Sequence, residues 1–170
     1  MEHGDDSRVY WALLAASCAH VAEEYAWPGG FLAAAREMAP GVFGNASITI
    51  VVGVNASMIL GCLYGALMRK RNPTFGLSMA SMLLVNSAFH AAASLRTRKY
   101  VPGLVTGLVL YVPLSLRAFS AYRASPRYRR SSAWRAAVQG AALHAVPFVA
   151  FAARGALARK AGNAEQEGCR

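Results

Sequence analysis

Long apolar runs, separated by short basic clusters, dominate the sequence. A helix that crosses the hydrocarbon core of a bilayer needs roughly 20 mostly apolar residues. Five runs reach or approach this length, at residues 9–25, 42–68, 74–95, 101–116 and 134–157. A shorter run at 31–38 follows the break Pro28-Gly29-Gly30 and predicts a small interfacial helix. The pattern therefore predicts an all-α polytopic transmembrane bundle of about five helices with a short interfacial helix after the first.

The composition agrees with a location in lipid. Of the 170 residues, 55% are hydrophobic and 15% are charged, whereas a soluble domain carries about 25% charged residues. No acidic residue occurs between Glu37 and Glu165. We therefore expect a single transmembrane domain at 1–157, followed by a disordered polar tail at 158–170.

The net charge of +10 raises the question of nucleic-acid binding. The basic residues, however, lie in clusters between apolar runs of spanning length, as at 69–71 and 123–135. Lysine and arginine at the ends of membrane helices meet anionic lipid headgroups. We therefore expect membrane lipid and no nucleic acid as a partner, and an integral membrane protein, most simply of the bacterial cytoplasmic membrane.

Ionisable residues inside a membrane segment are costly and indicate function. His20, Glu23 and Glu24 lie near the end of the first predicted helix, where i+3 and i+4 share a face with i. Asn86 and His90 have the same i, i+4 spacing near the end of the third. Because successive helices alternate in direction, the first and third end on the same side of the membrane. We therefore expect these residues to form one site.

Two or three histidines with two carboxylates form a suitable ligand set for iron or zinc. A mixed imidazole and carboxylate shell suits iron, which slightly favours an oxygen-dependent oxidoreductase acting on a small lipophilic substrate. A carboxylate that is not a ligand is expected to act as a general base or to bridge two metals, and Asn86 to orient a ligand or substrate. The predicted metal ligands are His20, Glu23, Glu24, His90 and His144, with Glu23, Glu24 and Asn86 as catalytic residues.

Other interpretations of the same residues stay open. A metal-free isomerase or cyclase would use a glutamate and a histidine for proton transfer, and a zinc hydrolase would use the metal to activate water. A non-enzymatic scaffold, lipid-binding protein or transport protein would use the polar residues for contacts between helices. Its small residues would also allow a homo-oligomer. His144 is equally compatible with a buried core histidine.

The run His20-Val21-Ala22-Glu23-Glu24 has the form H-x-x-E-E and resembles the family of membrane proteins named after that motif, the HXXEE domain family. The segment Asn86 to His90 and the turn Tyr100-Val101-Pro102-Gly103, with Thr106 after it, also match the family in order and spacing. The resemblance spans about residues 10–155. It implies a membrane fold and a polar site made from His20, Glu23, Glu24 and His90, whereas Asn55 and His144 are weaker matches. It leaves the reaction open.

Overall fold

The computed structural model describes residues 7–168, and all regular structure in that range is helical. The helices are α1 (Ser7–Ala26), α2 (Gly30–Met38), α3 (Pro40–Phe43), α4 (Ile48–Met68), α5 (Pro73–Thr97), α6 (Leu104–Thr106), α7 (Val112–Ala124) and α8 (Arg130–Gly168). Short turns connect most of them, and a π-helical turn at Gly107–Tyr111 joins α6 to α7.

Four helical segments in the described range are long and apolar enough to cross a membrane. They are Ile48–Met68, Pro73–Thr97, Leu104–Ala124 and Arg130–Leu157. Helix α1 has 20 residues but is not among them, because its polar residues lower its hydropathy. The prediction of an all-helical membrane bundle is confirmed, although the number of apolar spans is four rather than five.

Two of the helix starts that differ from the prediction have a local cause. Helix α4 begins at Ile48 rather than near residue 42, because Ser47 caps it: the Ile50 N–H donates to Ser47 Oγ at 3.3 Å. The helix expected from residue 101 begins at Leu104, because Gly103 has a φ of 95° and ends the preceding turn.

The last helix is longer than the apolar run that predicts it. Helix α8 begins at Arg130 and continues as helical backbone to Gly168, into the segment for which the sequence predicts a disordered tail. The disorder of that tail stays a prediction, and residues 169–170 lie outside the described range, as does the N-terminal segment 1–6 with His3.

Helix α5 is the centre of the bundle. In an apolar window of 18 residues within this span 56% of the residues are buried, against 17–28% in the corresponding windows of the other three spans. It packs most extensively on α8 and also contacts α4 and the span containing α7, while α1 packs on α4 and α7. This arrangement brings the C-terminal part of α1 close to the C-terminal part of α5, where the polar residues predicted from the sequence lie.

Candidate metal centre

One face of α1 carries the polar residues into the protein. Val9, Leu13, Ser17, His20 and Glu24 are all buried and follow one another at intervals of three or four residues. Such intervals keep side chains on one side of a helix. The apolar members of this face pack in the core, and the same packing forces His20 and Glu24 inward.

His20, Glu24 and His90 meet in the interior. His20 Nε2 lies 3.5 Å from Glu24 Oε1, and His90 Nε2 lies 3.4 Å from the same oxygen. The two imidazole rings have centroids 5.0 Å apart and are nearly perpendicular. One ligand atom from each residue lies within 4.8 Å of the other two, and all three side chains are buried. The structure therefore brings together two helices and three potential ligands at one point.

The nitrogens of this triad have no hydrogen-bond partners where they face one another. His20 Nε2 and both ring nitrogens of His90 are buried and without a partner among the described residues. The separations from Glu24 exceed the ~2.7–2.9 Å of a charge-assisted hydrogen bond. Buried polar atoms without partners are costly, so this arrangement suits a bound cation or a shared proton.

Glu23 is directed away from the triad and toward the turn that precedes α6. Its carboxylate accepts hydrogen bonds from the Tyr100 hydroxyl, from the N–H groups of Gly103 at 3.0 Å and Val105 at 3.1 Å, and from the Thr106 N–H at 2.8 Å. Free N–H groups at a helix start attract anions. Glu23 thus caps α6 from a different helix, and its carboxylate is fully engaged there.

Tyr100 lies outside the membrane spans, and its hydroxyl is a reliable donor to this carboxylate. Burial, together with the hydrogen bond to Glu23 and its charge, raises the pKa of Tyr100 to about 12. The hydroxyl therefore keeps its proton, and its hydrogen bond to Glu23, at neutral pH.

Thr106 connects this cap to the triad. Its hydroxyl donates to Glu23 Oε2 at 2.5 Å, because a carboxylate can only accept. The Thr106 oxygen lies 2.8 Å from His20 Nδ1 and is then left to accept a hydrogen bond from the N–H of that nitrogen. A neutral His20 therefore carries its hydrogen on Nδ1 and turns the lone pair of Nε2 toward Glu24. Metal-bound histidines typically have an oxygen partner on the other ring nitrogen.

Gly103 packs directly on the two histidine rings. A Cβ atom at this position would lie 2.6 Å from His90 Cε1 and 2.7 Å from His20 Cε1, and the φ of 95° is one that L side chains rarely adopt. Only glycine fits both requirements. The Pro-Gly turn thus closes the site on one side.

Tyr111 packs against the ring of His20. It is fully buried, its ring centroid lies 4.5 Å from that of His20, and it stands at the end of the π-helical turn. A π-helical turn shifts the side chains that follow it and is frequent at functional sites. Here the shift brings an aromatic ring against a triad residue.

Asn55 of α4 orients the remaining oxygen of Glu24. Its Nδ2 donates to Glu24 Oε2 at 2.8 Å, while Oε1 faces the histidines. Glu24 and Asn55 both line a cavity of about 610 Å³ between α4, α5 and α8. The Glu24 carboxylate therefore lies between the histidine pair and an internal space large enough for a ligand.

Asn86 and His144 line this cavity but do not join the triad. His144 packs against the Phe148 ring, with centroids 4.9 Å apart. Within residues 7–168, His144 Nε2 and Asn86 Oδ1 are buried and have no hydrogen-bond partner. Of the five predicted ligands, the structure groups three, His20, Glu24 and His90. It engages Glu23 elsewhere and places His144 in the cavity lining.

The sequence singled out some residues of the site without indicating what they do there. Tyr100, Gly103 and Thr106 belong to the motif after α5, and Asn55 is a polar residue in an otherwise apolar run. Their contacts require the tertiary structure. Tyr111 had no signal, because an aromatic residue in an apolar helix is ordinary.

Comparisons with known proteins identify one family. The family model described as a protein of unknown function with HXXEE motif matches residues 11–118, which is more than half of the chain. The match includes the triad, Glu23 and the Pro-Gly turn, but not His144. No curated protein and no solved structure matches the chain significantly. The chain therefore belongs to the family of membrane proteins defined by the HXXEE motif.

Proposed function

We propose that this protein is a membrane-embedded enzyme that binds a divalent metal through His20, Glu24 and His90 and acts on a small lipophilic molecule. One observation carries the proposal: three buried ligand atoms converge, and the histidine nitrogens among them have no hydrogen-bond partner in the described part of the chain. A cation bound among them would satisfy all three atoms at once. The bacterial cytoplasmic membrane is the location that we propose for it.

The separations between the ligand atoms match those of two atoms bound to one metal better than those of two atoms joined by a hydrogen bond. Two atoms bound at about 2.1 Å to one metal at a tetrahedral angle lie about 3.4 Å apart. The two separations from Glu24 Oε1 are 3.4 and 3.5 Å. Three protein ligands leave a position for water or substrate, as in catalytic zinc sites.

The identity of the metal decides the class of reaction. The two separations from Glu24 Oε1 are closer to this tetrahedral value, which suits zinc, than to the roughly 3.0 Å of a right-angled octahedral pair at the same bond length. Two histidines and one carboxylate are also the ligand set of iron enzymes that use oxygen. We therefore place zinc-dependent activation of water or of a carbonyl first, and an oxygen-dependent oxidoreductase second. A bound metal would supply the Lewis acid or the redox centre, while the protein holds and orients it.

The protein's own residues have separate tasks in this proposal. Glu24 holds the metal and forms part of the cavity surface, so a ligand in the cavity lies next to the site. Asn55 orients Glu24, and the pair Glu23 and Thr106 orients His20. Because the Glu23 carboxylate already accepts several hydrogen bonds, we assign it positioning rather than general-base catalysis.

A metal-free acid–base enzyme is the second candidate. The observation that favours it is that one carboxylate oxygen faces both imidazoles, an arrangement that would also hold a shared proton. An isomerase or cyclase could use such a proton for transfer to a substrate in the cavity.

Elemental analysis separates these candidates. We expect protein purified in mild detergent and dialysed against metal-free buffer to retain close to one zinc or iron per chain. His20→Ala, His90→Ala and Glu24→Gln should each lose most of it. His144→Ala is the matched control, since its ring lies outside the triad, and should keep the metal.

Each outcome excludes a different part of the proposal. Absence of stoichiometric metal, even after incubation with zinc or iron(II), would contradict the metalloenzyme and favour proton transfer. Metal content that is the same in all four variants would contradict the triad as the binding site. Full biological activity of Glu24→Gln would contradict both enzymes.

A further inference from the structure

The cavity beside the triad combines an apolar surface with a few polar atoms. Its volume of about 610 Å³ lies in the range of sites that bind small organic molecules. Phenylalanine and methionine side chains supply much of the lining, among them Phe43, Met58 and Met82. Methionine adapts to ligands of irregular shape. The cavity is therefore suited to a hydrocarbon group.

Two residues of the cavity lining each carry a polar atom without a partner in the described part of the chain. Asn86 Oδ1 and His144 Nε2 are both buried and unpaired among the described residues. Both residues belong to the cavity lining, together with Glu24 and Asn55. Because buried polar groups are normally paired, two unpaired ones in one cavity indicate a ligand that supplies the missing hydrogen bonds.

The cavity lies where two helices separate. Helices α4 and α8 both pack on α5, whereas direct contact between α4 and α8 is at most slight in the described range. Side chains of α4, α5 and α8 line the space between them. Both separated helices are membrane spans, so the cleft between them faces the interior of the bilayer, and a lipophilic molecule can reach it from there.

We propose that the cavity binds a lipophilic alcohol, whose hydroxyl pairs with Asn86 and His144 and whose hydrocarbon part lies against the phenylalanine and methionine side chains. This inference rests on the proposed function in one respect, since the bound alcohol would lie beside Glu24 and thus beside the metal. A lipophilic alcohol is the class of molecule that we assign to this cavity.

The lining disfavours the neighbouring chemical classes. A carboxylic acid would bring a second negative charge next to Glu24, and the lining residues that the structure describes include no lysine or arginine to balance it. A plain hydrocarbon would leave both polar atoms unpaired. An ether accepts hydrogen bonds but cannot donate one to Asn86 Oδ1, whereas a hydroxyl can do both.

Photolabelling tests the proposal, because it reports the position of a bound molecule as well as its affinity. The probe is a dodecanol that carries a diazirine in its chain, and the protein is the full chain, metal-loaded, in lipid nanodiscs. We expect labelled residues in the cavity lining of α4, α5 and α8, and few on the lipid-facing surface at Val109 or Leu116. 1-Dodecanol should compete at a concentration about tenfold lower than 1-methoxydodecane, since only the alcohol donates a hydrogen bond.

Variants of Asn86 and His144 test whether these two residues cause the preference for the alcohol over the ether. Asn86→Leu and His144→Phe should each bring the two competitors to nearly equal potency while leaving metal content unchanged. Asn45→Leu is the matched control, because Asn45 is exposed in the turn before α4 and outside the cavity lining. It should keep the wild-type preference.

Labelling spread evenly over the lipid-facing surface would overturn the proposal. Equal competition by alcohol and ether in the wild type would overturn it as well. Metal content, measured on the same samples, separates this result from the proposed function. Preferential binding of the alcohol by protein that holds no metal would support the cavity inference and contradict the metalloenzyme. Bound metal without any preference for the alcohol would support the metalloenzyme and contradict the cavity inference.

Discussion

Replacing Glu23 by glutamine tests whether this residue positions the site rather than binding the metal. Glu23 Oε1 accepts hydrogen bonds from three donors, the Tyr100 hydroxyl and the N–H groups of Gly103 and Val105. Glu23 Oε2 accepts two, both from Thr106. Glutamine keeps one oxygen and replaces the other by an NH₂ group. If the NH₂ group takes the place of Oε1, three donors lose their acceptor, and if it takes the place of Oε2, two donors lose theirs.

The size of the effect follows from this count. A donor that loses its acceptor costs about 1–3 kcal/mol when buried. Two donors in this partly exposed turn correspond to about 2–4 kcal/mol of unfolding free energy, or a decrease in Tm of about 5–15 °C for a chain of this length. Because the Thr106 hydroxyl also fixes the orientation of His20, metal affinity should fall about 10–100-fold, as for partners of metal-bound histidines elsewhere.

Two assays measure these effects on detergent-purified protein. Competition with a chromophoric chelator gives the metal affinity, and a thermal melt gives Tm. Glu37→Gln is the matched control. The Glu37 carboxylate pairs with Lys99 on the surface, where both side chains are more than 60% exposed, so its loss should change neither quantity measurably.

Three results distinguish the roles of Glu23. A 10–100-fold loss of affinity together with a lower Tm supports positioning. Complete loss of metal at a Tm like that of the wild type would instead make Glu23 a direct ligand. Unchanged affinity and unchanged Tm would refute the capping role and the connection through Thr106.

Two further substitutions test the surroundings of the triad. Gly103→Ala should abolish metal binding and lower Tm, because its Cβ would come within 2.6–2.7 Å of both histidine rings at a φ of 95°; Gly53→Ala, whose Cβ meets nothing within 4 Å, should leave metal content and Tm unchanged. Thr106→Val keeps the backbone bond to Glu23 but loses the hydroxyl, so chelator competition should show a loss of affinity of about 10–100-fold. Thr106→Ser should restore most of it, and failure of serine to do so would contradict the role of the hydroxyl.

The helical membrane fold was predictable because it depends on local properties. Apolar length predicts the spans, and the i, i+4 spacings of His20 with Glu24 and of Asn86 with His90 predict which residues share a face. Alternation of helix direction then predicted that His20 and His90 lie on the same side of the membrane. Their ring centroids, 5.0 Å apart, agree with that argument.

The sequence did not predict that Glu24 joins the triad while Glu23 caps α6. Adjacent residues on a helix differ by about 100° around the axis, so only one of them can face the triad, and the sequence does not indicate which. The answer depends on the turn at Gly103 to Thr106, whose N–H groups attract one carboxylate. Likewise, a lone His144 in an apolar run gives no indication of the distance to a site on other helices.

X-ray absorption at the metal edge tests the central claim most directly, because it counts the imidazole ligands of a bound metal. The account predicts two imidazoles per metal at about 2.0–2.1 Å in the wild type. In His90→Ala, any metal that remains should show one imidazole. A wild-type spectrum without imidazole scattering would contradict the site formed by His20, Glu24 and His90, and so would an identical spectrum in His20→Ala and His90→Ala.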